Sequence, residues 1–85
     1  MAKVVLTLKV FPSDVSVDLK ELKKRIEEKL GSITIKEEPI AFGLTSLILN
    51  ILIEDKEGEV ERIENLLKKI NGVGELEVIE LTRAL

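Results

Sequence analysis

A chain of 85 residues with net charge −3 and 45% hydrophobic residues has room for one core and too little surface for a second. It contains no cysteine and no histidine, which excludes disulfides, thiolate or imidazole metal sites and a histidine general base. Thirteen basic against 16 acidic residues leave no basic stripe of the kind that releases counterions from nucleic acid phosphates.

The amino-terminal segment KVVLTLKVF alternates, with Val4, Leu6, Leu8 and Val10 on one face and Lys3, Val5, Thr7 and Lys9 on the other, the pattern of a half-buried strand. That alternation, with no small-residue cleavage site, also argues against a signal peptide. Pro12, Ser13 and Asp14 end the strand in a turn. The spacing then predicts an amphipathic helix over Asp18 to Leu30. Asp18 is its N-cap, Glu21 stands at capping-box distance, Leu19, Leu22, Ile26 and Leu30 form the apolar stripe, and Gly31 is the stop. Its cationic run Lys23, Lys24 and Arg25 is flanked by Glu21, Glu27 and Glu28, with Glu21 and Arg25 in the favourable i,i+4 order, so it reads as a solvated helix face rather than a phosphate site.

Ile33 and Ile35 alternate with Thr34 and Lys36 in a second, shorter strand that Pro39 interrupts. The third, LTSLILNILIED, places Leu47, Leu49, Ile51 and Ile53 on one face and Ile48 and Leu52 on the other. Apolar on both sides, it belongs at the centre of a sheet. Even so, its run LILNILI is far too short to span a bilayer, and the expected location is cytoplasmic. Val60, Ile63, Leu66, Leu67 and Ile70 mark a second helix, acidic at its start, basic at its end and stopped by Asn71 and Gly72. In the closing strand ELEVIELTRAL the apolar phase shifts from Leu76 and Val78 to Ile79 and Leu81, which predicts a bulge near Val78 or Ile79.

Strand, helix, strand, strand, helix, strand is the order of an α+β, ferredoxin-like βαββαβ sandwich. It consists of a four-stranded antiparallel sheet with two helices on one face. Residues 1–85 are expected to form this one domain. Strands one and three take the centre. The edge strands carry their own protection: Lys36 and Pro39 on one, Glu75, Glu77 and Glu80 on the other.

No catalytic constellation stands out, so the chain does not read as an enzyme. Glu37 and Glu38 are adjacent on an extended segment and point to opposite faces, which rules out an acid/base pair and leaves edge solubility. EDKEGEVE at 54–61 lacks the alternating ligands of a calcium loop, and the glycines form no phosphate-binding signature. No cofactor and no metal are expected. Neither central strand carries an aromatic in its body for stacking RNA bases. The chain has two Phe and no Tyr or Trp. Phe11, at a strand end, reads as core or core edge. Phe42, between Pro39 and Gly43 in the connection of strands two and three, is out of phase with any strand. Two placements stay open for it: an exposed interface anchor, or a ring folded down over the sheet edge.

EEPIAFGLTSLILNILIED resembles the hairpin signature of the guanine-nucleotide exchange domain of translation elongation factor one beta, above all its short archaeal members. KVFPSDVSVDLKEL resembles that family's first strand, proline turn and acidic helix start, and IEDKEGEV its exit from strand three. A composition rich in charge and free of Cys fits a thermophile. The resemblance implies exchange of GDP for GTP on elongation factor one alpha, without direct contact with nucleic acid or membrane. It assigns partner contact to Phe42, with Pro39, Ile40, Ala41 and Gly43 shaping the hairpin. Eukaryotic relatives place a basic residue next to the carboxyl terminus, toward the magnesium and phosphate region. The corresponding position here is Ala84, and the nearest cation is Arg83. The Lys pair that follows the aromatic hairpin in those relatives is replaced by Thr45 and Ser46. An ACT-type ligand-binding module shares the topology and is the alternative. An acylphosphatase-like enzyme would need an arginine-bearing phosphate loop where this chain has the acidic FPSDVSVD.

Overall fold

Alternating apolar residues commit β1 (Lys3–Pro12) and β3 (Thr45–Glu54) to a shared face. In the computed structural model, which describes residues 2–31 and 33–84, they pair antiparallel from Lys3↔Glu54 to Val10↔Leu47. Helix α1 (Leu19–Leu30) follows β1; β2 (Thr34–Pro39) precedes β3; α2 (Glu59–Lys68) and β4 (Val73–Arg83) complete the chain. The sheet order is β2-β3-β1-β4, which puts the two most apolar strands at the centre, as expected. Leu85, the predicted end of the closing strand, lies outside the described residues.

The core is the meeting of these faces. Val4, Leu6, Leu8 and Val10 of β1 and Leu47, Leu49, Ile51 and Ile53 of β3 pack with Leu22 and Ile26 of α1 and Ile63 and Leu67 of α2, all of them buried. Each helix shows the sheet one stripe, and the opposite sheet face, with Val5, Thr7, Ile48 and the exposed Leu52, is uncovered.

Local signals act where the residues place them. Asp18 caps α1, its carboxylate accepting from the Lys20 and Glu21 amides at 3.0 and 3.3 Å, and Gly31 ends the helix at φ 76°. Helix α2 stops at Lys68, earlier than the apolar spacing predicts. Ile70 reaches the core from a turn in which its amide bonds Leu67 O at 3.0 Å, since a tightened last turn satisfies carbonyls that the helix leaves open. The bulge falls where expected: Thr7 pairs Glu80 and Leu8 pairs Val78, leaving Ile79 as the extra residue. Phe11 is half-buried, outside the core cluster, with Lys9 Nζ 5.7 Å from its ring centre. It is therefore core edge.

Of the run Lys23, Lys24 and Arg25 on α1, two are tied down while staying partly exposed. Lys23 pairs with Glu37 of β2, and Arg25 donates to Asn71 O at 3.1 Å, so this face ties the helix to its neighbours. In the first turn of α2, Glu59 is buried and receives both arms of Arg62 at 2.9 and 3.1 Å. Those bonds hold its carboxyl below the ordinary glutamate pKa.

Three outcomes follow from this packing. Leu8→Ala, which empties the fully buried centre of β1, should cost about 2–5 kcal/mol in urea unfolding. Gly74→Ala should lower stability by about 1–3 kcal/mol in the same assay, because a Cβ there meets Phe11 O and Pro12 O, both at 3.0 Å. A depressed glutamate pKa adds stability at neutral pH that is lost as pH falls below about 4.3. Glu59→Gln should therefore flatten the acid limb of stability against pH, read as urea midpoints from about pH 5 to 3.

Candidate partner-binding hairpin

The β2–β3 hairpin is built to hold its tip outside the fold. Pro39 ends β2 opposite Thr45, on an edge strand where its missing N–H breaks no ladder. The Ile40 amide bonds Leu44 O at 2.8 Å and the Leu44 amide returns to Ala41 O at 3.3 Å, closing a tight loop around the 3₁₀ turn Ala41–Gly43. Within it Phe42 adopts φ 61°, ψ 34°, and Gly43 follows at φ 75°. Glycine takes that region freely. For phenylalanine it costs on the order of 1–2 kcal/mol, so the fold holds a strained residue at this one position.

The ring itself is 95% exposed, which settles between the two placements: it does not fold down over the sheet edge. A large apolar side chain in water, held on a strained backbone, contributes nothing to the core. Such an arrangement is understandable when the ring is completed by another surface.

What keeps the strained turn in place lies below it. Glu37 and Glu38 point to opposite faces of β2, and each finds a lysine there. Glu37 pairs with Lys23 on the helix side. Glu38 pairs with Lys9 of β1 at 2.8 Å on the uncovered side, reaching across β3. Donating to the Glu38 carboxylate raises the Lys9 pKa above its ordinary value. Ser46, fully buried, donates from Oγ to Glu38 O at 3.1 Å. The two glutamates thus brace the hairpin stem from both sides, a larger part than edge solubility. Sequence reasoning missed Lys9, Lys23 and Ser46 as supports. The alternation of Glu37 and Glu38 was the signal, but which cations the fold would bring beside them depends on pairing through β3.

Arg83 lies elsewhere. It ends β4 opposite Val4, while the hairpin lies beyond the other end of the sheet, past Val10↔Leu47. The ten residues of β1 put about 30 Å between these ends. Pro39, Ile40, Ala41, Phe42 and Gly43 come together in one structure; Arg83 is exposed at the opposite pole. No group of three or more carboxylates able to hold a metal ion occurs among the described residues, and no helix among them is long and apolar enough to cross a membrane.

Phe42→Ala should change stability by less than about 0.5 kcal/mol, since it removes a solvated ring. Phe42→Gly should be more stable than Phe42→Ala by about 1 kcal/mol, the αL preference made visible in paired urea curves. Unfolding of either variant in circular dichroism at room temperature would place the ring in the core after all.

The chain resembles known proteins along nearly its whole length. It matches the EF-1 guanine nucleotide exchange domain family over residues 5–84. It is 50% identical to elongation factor 1-beta of Aeropyrum pernix, with 98% of each chain covered. The corresponding protein of Methanothermobacter thermautotrophicus is 44% identical, again over 98% of each, and that of Staphylothermus marinus is 46% identical over 92% of each.

Proposed function

Because the chain belongs to the EF-1 guanine nucleotide exchange domain family, we propose that it promotes GDP release and GTP reloading on elongation factor one alpha during translation elongation. Residues 1–85 act as a single exchange domain in the cytoplasm. The observation that carries this reading is Phe42, a 95% exposed ring on a braced and strained turn. An anchor that arrives already in its bound conformation loses less entropy on association, so more of its burial appears as affinity.

Exchange needs no catalytic side chain in this chain. A protein that binds the nucleotide-poor form of a GTPase better than the GDP-bound form must, by linkage, weaken GDP binding by the same factor. The hairpin residues Pro39, Ile40, Ala41, Phe42 and Gly43 supply the affinity at one end of the sheet. Arg83 supplies a positive charge at the other, about 30 Å away. One pocket cannot take both. The partner is therefore gripped at two points along the sheet, and Arg83 competes for the phosphate charge that holds GDP and its magnesium.

Release of fluorescent GDP from the cognate elongation factor one alpha, in excess unlabelled nucleotide, tests this directly. The rate should rise with added protein. Phe42→Ala should lower that acceleration at least tenfold, corresponding to about 1.4 kcal/mol or more of lost binding, with the fold intact. Arg83→Ala should lower it while leaving Phe42-dependent binding in place. No acceleration of an active partner would remove the exchange reading and bring back the ACT-type ligand-binding module.

A further inference from the structure

Among the apolar side chains that the fold leaves in water, Phe42 has a companion. Phe42 is 95% exposed and Val15 70%, while Leu52, Val78, Ile79 and Leu81 lie within β3 and β4 and reach no more than 59%. Val15 belongs to the loop between β1 and α1, which leaves the sheet past Val10↔Leu47, at the pole that carries the hairpin. There Val15 and Gly43, the neighbour of Phe42, line one shallow cleft of about 50 Å³ together with the half-buried Val17, Leu19 and Leu44.

The loop holds Val15 outward much as the hairpin holds Phe42. The Val17 amide bonds Asp14 O at 3.3 Å, closing a turn with Val15 and Ser16 at its centre. The Asp14 carboxylate accepts from the Ser16 amide at 2.6 Å and from the Ser16 hydroxyl, the local bonding that makes aspartate a turn former. The Ser13 amide ties the start of the loop to Gly72 O at 2.9 Å, and Val17 packs against the core. Val17 therefore serves the fold, and Val15 does not. Polar residues and glycine dominate turn centres. A single exposed valine would call for no account, but this one shares a cleft with the base of an exposed phenylalanine.

We propose that Val15 is a second apolar anchor for the surface of the GTPase that receives Phe42, so that the two turns and the cleft between them form one docking face. The role of Val15 rests on the exchange reading above. Continuity selects this occupant: a surface that closes over the Phe42 ring also covers Gly43, and with it the cleft that Val15 walls. Residues 39–46 carry no charge, so the facing surface is apolar. Phe42 is the central anchor, and Val15 keeps water from reaching it along the cleft, as contacts around a hot spot do.

The test is the half-saturating concentration of this protein in the fluorescent-GDP release assay. Val15→Ser should raise it by about threefold or more. Val15→Asp should raise it by about tenfold or more, because it presses an unpaired charge against an apolar surface. The maximal rate and the urea midpoint should stay at wild-type values in Val15→Ser. In the Phe42→Ala background, Val15→Ser should add less than about twofold, since both residues serve one contact.

Wild-type half-saturation in both Val15 variants, with Phe42→Ala still impaired, would overturn the anchor and leave the exchange reading standing. The full loss recurring on top of Phe42→Ala would make the two contacts independent and remove the shared face. A lowered urea midpoint in Val15→Ser would assign the residue to the fold instead. No acceleration by the wild-type protein would remove both readings together.

Discussion

Everything in this molecule hangs on the register of β1 against β3. Eight consecutive pairs, Lys3↔Glu54 through Val10↔Leu47, put four apolar residues of each strand on one face, where both helices bury them. A slip of either strand by one residue would turn its four apolar side chains to water. The same register sets the height of the hairpin above the sheet and places Lys9 within reach of Glu38.

A consequence is that the residues that hold the fold and the residue it displays to solvent are different. The buried stripes hold the fold. The exposed ring of Phe42 rests on it without contributing to it. Such a division suits an 85-residue chain with little stability to spare. The strain at Phe42 is tolerated because the stem beneath it is held from both sheet faces by Glu37–Lys23 and Glu38–Lys9, with Ser46 bonding the Glu38 carbonyl.

Phe42 also shows how far local reasoning reaches. Its neighbours Pro39 and Gly43 announce a turn. Whether the ring points out or folds down was undecidable from the residues alone, because a φ of 61° at phenylalanine is not a local preference at all. It is imposed by the closure of Ile40 on Leu44, which depends on β2 and β3 meeting in register. The cations of α1 tell the same story in reverse. Lys23 and Arg25 look like solvated helix charges until the fold brings Glu37 and the Asn71 carbonyl beside them.

The sequence by itself determined the elements, their order, the centre and edges of the sheet, a bulge near Val78 or Ile79 and the position of the hairpin. These follow from periodicities of 2 and 3.6 and from caps and turns, which act between near neighbours. Only the tertiary structure decided that Phe42 is outside, that Glu37 and Glu38 brace it, and that Arg83 lies at the far pole. Each of these joins residues distant along the chain, and contacts of that kind exist only once strands have paired and helices have packed.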